Sequence, residues 1–543
     1  MHKHPRWTIA GLGALVLALA GCGGGGGGGG GLPLVLPTVG APAAAPATTT
    51  GTGTTTQTAG GSGNGGGAGS AATSDSDIVP SSTVAGRCAA PRPNSNDRAG
   101  TLTDEKRWVR SWIDETYLWY DEVPNLRAAD YATPVDYFAV LKTPARTASG
   151  RAKDRFHFTY DTAAYQALST SGEGVGYGIE FAYLSSTPPR DIRVAYVEAN
   201  SPASAAGIGR GMRLRTVDGI DVGSSGNTQG LNAGLAPQQA GETHRLGLRR
   251  LDGTDFEVGL TASTVTAAAV MNVKTLATAS GNVGYLQFNQ HTNAAEAQLM
   301  DAIASLRDAA VTDLVLDMRY NGGGLLGIAS ELATMVASPA ATANKTFERL
   351  VFNRKNPFGG TAADNALPFY DTARYGPYAG RPLPRLNLPR VLVLAGGDTC
   401  SASESVVNGL RGIGVNVALV GGTTCGKPYG FYPRDNCGTT YFAIQFQGVN
   451  ALGQGDYADG FAPTCSVADD FSHALGDPAE ARLAAALSLR QNGVCPAPAT
   501  PLVASTRSAV AGSGTGLPAD QAVLGPRAPW LDNRIVLPAD RGF

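Results

Sequence analysis

Two residues in the C-terminal half of the chain have side chains that could together hydrolyse a peptide bond. Ser401 lies in a Ser-Ala-Ser-Glu tetrad, just after an apolar run at residues 391–395 that predicts a strand. Lys427 follows it in a Gly-Lys pair. A serine hydroxyl attacks a carbonyl carbon when a nearby base accepts its proton, and a lysine amine can be that base. The two residues therefore indicate nucleophilic hydrolysis.

Each residue also has a simpler interpretation when it is taken alone. Ser401 and Glu404 fit the capping box of a helix N-terminus, although the N–H groups there can equally stabilise an oxyanion. A turn lysine is normally solvated and charged, so a general base at Lys427 requires burial that lowers its pKa well below about 10.4. Ser403 is less suited to attack, because a serine further into a helix tends to bond to the backbone.

A second turn, rich in glycine, lies upstream at residues 317–324. The chain around the two turns alternates apolar strand patterns with helical patterns, which predicts a parallel α/β sheet with crossover helices. Both turns would then open at the carboxyl ends of their strands, where α/β sheets place their sites. The predicted strands are 283–288, 314–317 and 391–395, and the predicted helices are 293–307, one from about 325 and one through about 410.

Residues 166–265 show a different pattern of short strands and turns. Three segments in order, around Gly176-Tyr177-Gly178-Ile179, at residues 200–208 and at residues 211–220, resemble a PDZ domain. The resemblance implies that Tyr177, Gly178 and Ile179 form the loop that holds the C-terminal carboxylate of an extended peptide. Taken alone, the first segment would be an ordinary glycine-flanked strand.

Residues 86–165 are predicted to form a small helical domain. A helix is expected to begin near residues 103–105, and Trp108, Val109, Trp112 and Ile113 then recur at helical spacing. We interpret this aromatic stripe, continuing through residues 118–120, as part of the core. A ligand-stacking surface is the alternative.

Taken together, the motifs resemble the C-terminal processing (tail-specific) serine protease family. The resemblance extends over about residues 105–490 and includes the glycine-rich turn at 317–324, the tetrad at 401–404, the Gly-Lys pair at 426–427 and an Asp-Gly segment at 459–463. It implies a multidomain α/β protein with a helical N-terminal domain, a PDZ-like β-rich domain and a crotonase-like (ClpP-like) α/β protease core.

Carried over by position, the resemblance makes Ser401 the nucleophile and Lys427 the general base that later protonates the leaving amine. It also makes the backbone N–H groups of Ala402 and of Gly323 or Gly324 the oxyanion hole, since the two turns must then face each other.

One position departs from the family pattern. Members often carry a glutamine four residues after the lysine to orient it, and here that residue is Phe431. Either another group, for which Tyr429 and Gln445 are candidates, orients the lysine, or packing holds its amine. A serine–histidine arrangement is the chemical competitor, with His291 or His157 as base, but the family uses neither position.

The N-terminus resembles a bacterial lipoprotein signal. A basic start, an apolar stretch at residues 7–20 and the sequence Leu-Ala-Gly-Cys predict cleavage after residue 21 and lipidation of Cys22. An ordinary signal peptide is the alternative. Residues 22–85 predict a flexible tether and residues 496–543 a poorly ordered tail. The expected location is the cell envelope, lipid-anchored at the periplasmic face of the outer membrane.

Composition limits the partners further. A formal net charge of -2 and a pI near 6.3 argue against nucleic-acid binding. Six cysteines follow Cys22, and an even count in an exported protein favours disulfides, although fifteen pairings are possible. A disulfide at Cys400 or Cys425 would rigidify the neighbourhood of Ser401. The spread of Cys and His residues predicts neither a metal site nor a cofactor.

The sequence therefore predicts a serine endopeptidase that cleaves exported or envelope proteins. Its partners would be protein or peptide substrates, bound by their C-termini at the PDZ-like domain, and the membrane through the lipid anchor. The protease core is expected at residues 266–495. The alternative is a non-catalytic, PDZ-bearing, peptide-binding lipoprotein.

Overall fold

The computed structural model of the chain describes residues 78–171, 173–496 and 534–535. The predicted signal peptide, Cys22, most of the tether and most of the tail lie outside these residues. Within the described ranges, no helix combines the length and the apolarity that a membrane span requires.

The largest part of the fold is built around a six-stranded sheet. Its strand Asp313–Asp317 pairs in parallel with Gly281–Phe288 on one side and with Arg390–Ala395 on the other, while Val270–Thr278 adds an antiparallel edge. The sequence Leu-Val-Leu within Asp313–Asp317 is buried on both faces, as expected for a central parallel strand. The predicted parallel α/β sheet is therefore confirmed. The strand order is Val270–Thr278, Gly281–Phe288, Asp313–Asp317, Arg390–Ala395, Asn416–Gly421, Cys465–Ser466.

Helices cover both faces of this sheet. Leu316 lies in one apolar cluster and Val315 in another, because successive side chains of a strand point to opposite faces. The last helix, Ala481–Asn492, supplies Leu483 and Ala486 to the second cluster. The first cluster receives the helices Ala295–Asp308, Leu326–Val336 and Ala402–Gly412.

The N-terminal residues pack on the C-terminal half of the chain. The helix Leu102–Thr116 begins at a capping box in which Thr101 and Asp104 exchange hydrogen bonds. Trp108 and Trp112 stack on each other at 5.4 Å and belong to the same buried cluster as Phe431 and residues 441–444. The stripe is thus core, as we predicted, although residues 118–120 lie beyond the end of the helix. A disulfide from Cys88 to Cys437 closes the same contact.

Residues 173–266 form a second β-rich unit. Its sheet has the order Asp255–Thr261, Thr243–Arg249, Arg213–Val217, Asp191–Val197, Ile179–Ser185, so Ile179–Ser185 is an edge strand. The strands that enter and leave the unit, Glu173–Gly176 and Ser263–Thr266, pair antiparallel with each other. Local sequence explains the short helix Pro202–Ala205: Ser201 caps it by accepting the Ser204 N–H at 3.2 Å.

The bounds of the remaining described elements follow. The helices are Ser81–Val84, Tyr120–Glu122, Ala128–Asp130, Pro134–Val140, Thr162–Ser171, Thr228–Leu235, Pro339–Thr342 and Gly376–Tyr378. The strands are Arg87–Cys88, Arg98–Ala99, Phe158–Asp161, Ile220–Asp221, Gly324–Leu325, Thr346–Phe352, Ala366–Pro368, Tyr429–Gly430, Arg434–Asn436, Thr439–Phe442, Phe446–Val449 and Arg534–Ile535. The predicted helix at 293–307 begins two residues late, at Ala295.

Candidate active site

Ser401 lies at the N-terminus of the helix Ala402–Gly412, in a backbone conformation that few serines adopt. Its φ is 61° and its ψ is -114°, whereas an N-cap residue normally has extended dihedrals. For a residue with a Cβ, such a conformation costs of order 1–3 kcal/mol and is retained mainly at functional sites. A sharp strand-to-helix turn of this kind also exposes the nucleophile of α/β-hydrolases. Helix capping alone does not require this strain.

The buried carboxylate of Glu404 joins the two turns that carry Ser401 and Lys427. Its Oε2 accepts the backbone N–H of Ser401 at 3.0 Å and that of Lys427 at 2.8 Å. Its Oε1 accepts the Gly426 N–H at 2.8 Å and the Thr424 hydroxyl at 2.6 Å. Burial raises the pKa of Glu404, and these four hydrogen bonds oppose that rise. Because one oxygen accepts both N–H groups, the Ser401 and Lys427 backbones lie side by side.

The sequence predicts only a helix-capping role for Glu404. The Ser-x-x-Glu spacing is the one sequence signal that could have identified it. That spacing reveals its bond to Ser401, but the bonds to Thr424, Gly426 and Lys427 join positions that only the fold brings together.

A disulfide between Cys400 and Cys425 closes the same pair of turns. Their Cα atoms lie 5.1 Å apart, and the Cys425 N–H donates to the Thr399 carbonyl at 3.0 Å. Glu404 lies beside the two sulfurs, but sulfurs bonded to each other are not the thiolates that a metal site needs. This disulfide therefore holds the nucleophile turn against the lysine turn.

Replacing both Cys400 and Cys425 with alanine is expected to lower the free energy of unfolding by about 3 kcal/mol, from the entropy of the closed loop. Because the disulfide also sets the spacing of the two turns, we expect kcat/KM to fall by about 10- to 100-fold. The matched control is the double alanine variant of Cys465 and Cys495. The disulfide between these two residues closes a loop of similar length, with a sequence separation of 30 against 25 for Cys400 and Cys425. Chemical denaturation and peptidase assays should show similar stability losses but an activity loss confined to the first variant. Equal activity losses would contradict the positioning role.

Lys427 is fully buried, with 0% of its surface exposed. Its Nζ lies 4.2 Å from the ring centroid of Phe431 and 4.7 Å from that of Phe156. Phe431 is the residue that replaces the family's glutamine, so here an aromatic face contacts the amine where an amide was expected. Two aromatic rings thus pack against the end of the lysine side chain.

The two candidate orienting groups are engaged elsewhere in the described contacts. Gln445 accepts the Tyr432 N–H at 2.6 Å and donates to the Thr116 hydroxyl at 3.3 Å. The ring of Tyr429 packs edge-on against Trp119 at 4.8 Å. Burial raises the pKa of Tyr429 to about 12, so its hydroxyl stays protonated at neutral pH.

The N-terminal residues reach the lysine turn directly, a contact that sequence reasoning missed. Phe156 supplies one of the two rings, and its neighbour Arg155 donates to the carbonyls of Cys425 and Gly426. Arg151 also donates to the Cys425 carbonyl, at 3.3 Å. No periodicity or motif in the chain predicts these contacts, which join residues more than 250 positions apart.

The glycine-rich turn lies against the nucleophile turn through Asn321. The Asn321 carbonyl accepts the Cys400 N–H at 3.1 Å and the Ser403 hydroxyl at 3.0 Å. Ser403 is therefore bonded to backbone, as expected for a serine inside the helix. The facing of the two turns, which the oxyanion proposal requires, is present.

The three candidate oxyanion donors are in different situations. Ala402 is the first residue of its helix, so its N–H belongs to the turn whose N–H groups lack intrahelical acceptors. The Gly323 N–H already donates to the Asn321 side chain at 2.9 Å, and a role in the oxyanion hole requires that bond to break. Gly324 has a φ of 138°, and a Cβ there would lie 2.3 Å from the His291 carbonyl oxygen, so only glycine fits.

The two candidate histidines are both buried and packed. His291 Nδ1 lies 3.1 Å from the Asn321 side-chain oxygen, so this histidine supports the glycine-rich turn. Burial lowers the pKa of His291 to about 3. His157 stacks on Phe138 at 3.8 Å and lies 3.4 Å from Asp154, within the N-terminal residues. These contacts describe structural histidines.

A buried ion cluster links the glycine-rich turn to the second β-rich unit. Arg319 pairs with Glu480 through two hydrogen bonds of 2.8 and 2.9 Å and with Asp469 at 2.7 Å. Arg210, from the β-rich unit, donates to Asp469 at 2.7 Å and to the Tyr320 hydroxyl at 2.8 Å. Burial alone would raise the pKa of Asp469, but the neighbouring guanidinium groups hold it below its usual range.

The predicted peptide-binding loop lies at the start of the edge strand Ile179–Ser185. Tyr177 is buried and its hydroxyl donates to the Gly234 carbonyl at 3.1 Å, which fixes the loop against the helix Thr228–Leu235. Gly178 has a φ of 76°, and a Cβ there would lie 2.3 Å from the Ser201 Cβ. The loop conformation therefore depends on glycine at this position.

Two segments of the chain match models of known protein families. Residues 282–433 match the model described as peptidase family S41, and this range includes both Ser401 and Lys427. Residues 104–160 match the model of the peptidase S41 N-terminal domain, which includes Phe156.

Curated proteins and solved structures agree with these matches. The chain is 28% identical to a carboxyl-terminal-processing protease of Picosynechococcus over 48% of its own length and 56% of that protein. It is 31% identical to the chloroplastic C-terminal processing peptidase of Tetradesmus obliquus over 42% of its length and 49% of that protein. The chain thus spans about half the length of the curated relatives it matches. An S41 protease structure from Bacteroides fragilis, 24% identical, shares the fold with a TM-score of 0.53 over 74% of this chain and 99% of that one.

Proposed function

Because the chain belongs to peptidase family S41, we propose that it is a serine endopeptidase that cuts protein substrates with a Ser401–Lys427 dyad. The observation that supports the dyad most strongly is the shared carboxylate of Glu404, which accepts the backbone N–H of both residues. A helix cap at Ser401 and a solvated lysine at 427 would need neither this junction nor the burial of Lys427. The α/β core is proposed to be of the crotonase-like kind.

In the proposed reaction, the neutral amine of Lys427 accepts the Ser401 hydroxyl proton as Oγ attacks the scissile carbonyl carbon. The tetrahedral intermediate collapses when the lysine returns that proton to the leaving amine. Water then attacks the acyl-enzyme carbonyl while Lys427 accepts its proton, and the lysine returns that proton to Ser401 Oγ as the bond between Oγ and the acyl group breaks. The complete burial of Lys427 favours a neutral amine, because removal from water disfavours the charged form.

The oxyanion formed in these steps is proposed to bind to the Ala402 N–H and to an N–H of the glycine-rich turn. Gly323 can take part only after its N–H leaves the Asn321 side chain. Gly324 is the alternative donor from the same turn. With Gly323 as the donor, productive binding requires a small rearrangement of the Asn321 side chain, whose oxygen also lies 3.1 Å from His291 Nδ1.

The β-rich unit is proposed to be a PDZ-like module that binds substrate C-termini. Two features support this role: Ile179–Ser185 is an edge strand, the kind of strand to which a peptide can pair, and Tyr177, Gly178 and Ile179 form a glycine-dependent loop at its start. The ion cluster around Arg210 would couple movement of this module to the position of the glycine-rich turn. The substrates are proposed to be exported or envelope proteins. The chain itself is proposed to be anchored through Cys22 at the periplasmic face of the outer membrane.

A serine-reactive phosphonate probe and an unfolded reporter protein with an apolar C-terminal tail test this function together. The intact protein is expected to cleave the reporter and to carry one probe adduct, which peptide mapping places on Ser401. Pre-labelling with the probe should abolish cleavage. Binding of the reporter with neither cleavage nor labelling, under several buffer conditions, would instead support the non-catalytic peptide-binding alternative.

A further inference from the structure

The chain places a segment of its own C-terminal region beside the candidate active site. Arg534–Ile535 pairs in parallel with Gly324–Leu325, the short strand that ends the glycine-rich turn. The same segment lies next to Tyr429–Gly430, which directly follows the lysine turn. It therefore lies between the strands that follow the two halves of the proposed catalytic machinery.

A nucleophile has to touch its substrate, but Ser401 has 0% of its surface exposed in this arrangement. Some part of the chain must move before an extended polypeptide can reach the serine. The pairing of Arg534–Ile535 with Gly324–Leu325 is of the kind that an extended polypeptide can make, because strand addition uses main-chain hydrogen bonds and needs no particular side chain. A substrate strand that paired with the same edge would have to replace it.

We propose that the edge of Gly324–Leu325 is the binding site for the substrate strand, and that the chain's own strand Arg534–Ile535 occupies it as an intramolecular competitor. The effect of this competition on substrate cleavage rests on the proposed peptidase function, but the competition itself is a binding event that can be measured separately. Substrates would be polypeptides that can become extended there, such as unfolded chains and loose termini, since a folded segment cannot add a strand.

The extent to which Arg534–Ile535 weakens substrate binding can be estimated, because competitor and binding site belong to the same polypeptide. A flexibly tethered ligand acts at an effective concentration on the order of millimolar. If the isolated segment binds with a Kd of about 0.1 mM, the tethered segment weakens a competing peptide by about tenfold. Releasing the segment should therefore raise peptide affinity, and kcat/KM with it, by about tenfold.

The test uses the full chain with two adjacent prolines, Arg534→Pro and Ile535→Pro, which remove the N–H donors that a strand pairing needs. The matched control places the same two prolines elsewhere in the C-terminal region, Ala509→Pro and Val510→Pro. Both are made in a Ser401→Ala background, and fluorescence anisotropy measures binding of a labelled synthetic peptide that copies residues 530–540.

Binding about tenfold tighter to the Arg534→Pro, Ile535→Pro chain than to the control supports the proposal. Equal affinity for the two chains, or binding to neither, overturns it. Because the binding test uses catalytically silent chains, its outcome is separate from that of the proposed function. If chains with Ser401 restored show no peptidase activity while the affinities differ, the proposed function fails and the competition stands.

Discussion

Replacing Ser401 with alanine is expected to lower kcat/KM for an unfolded protein substrate by about 10⁴-fold or more, the order of loss for the nucleophile of a serine protease. The residual rate comes from binding and from the oxyanion donors, which the substitution leaves in place. Stability should fall by only about 1 kcal/mol, because the Ser401 N–H bond to Glu404 remains and the substitution removes only the capping contact of the hydroxyl. Thermal unfolding and single-turnover cleavage of a labelled substrate measure the two quantities.

Ser403→Ala is the matched control for this substitution. Ser403 stands two residues further into the helix, and its hydroxyl donates to the Asn321 carbonyl. Losing that hydrogen bond costs about 1 kcal/mol of stability and should change kcat/KM by less than tenfold. If the Ser403→Ala variant is inactive while the Ser401→Ala variant is active, the nucleophile is Ser403 and not Ser401.

Replacing Lys427 with methionine is expected to remove activity to the same extent as Ser401→Ala. The two residues act as one unit, so the double variant should be no slower than either single variant. Methionine has a similar length and carries no amine that must be desolvated, so the folded state should be as stable as before or more so. Comparing kcat/KM of the two single variants and the double variant, with denaturation curves for each, checks both expectations.

A second buried lysine provides the control for replacing a buried lysine with methionine. Lys106 is 9% exposed and its Nζ donates to the Tyr131 carbonyl at 2.7 Å, within the N-terminal residues. Lys106→Met should lower stability modestly while leaving kcat/KM almost unchanged. Full activity of Lys427→Met, or a double variant much slower than both singles, would exclude the lysine as the base that acts on Ser401.

Much of the fold could be predicted because its signals are local. The strand Asp313–Asp317 is a short apolar run, and the helix Ala402–Gly412 begins at a Ser-x-x-Glu tetrad, so each pattern and its element lie in the same few residues. Crossover geometry then places the two turns at one edge of the sheet. The predicted positions of Ser401 and of the glycine-rich turn on that edge follow from this rule.

The group that holds Lys427 could not be predicted in the same way. Phe431 was recognised as a departure from the family pattern, but the second ring, Phe156, comes from the N-terminal residues and no local signal connects it with the lysine. The sequence indicates only a helix cap at Glu404, because its other hydrogen bonds reach residues 424–427. The sequence assigns an oxyanion donor to Gly323 or Gly324, but it does not reveal that the Asn321 side chain accepts the Gly323 N–H.

The sequence by itself determined which residues can do chemistry and the order in which the turns carrying them follow the strands, because these depend on residue type and on patterns a few positions long. Only the tertiary structure decided what surrounds Ser401 and Lys427. It selected Cys400–Cys425 from fifteen possible cysteine pairings, joined both residues through Glu404, and placed Arg534–Ile535 beside the glycine-rich turn. These arrangements depend on contacts between distant parts of the chain, which packing settles and local sequence does not record.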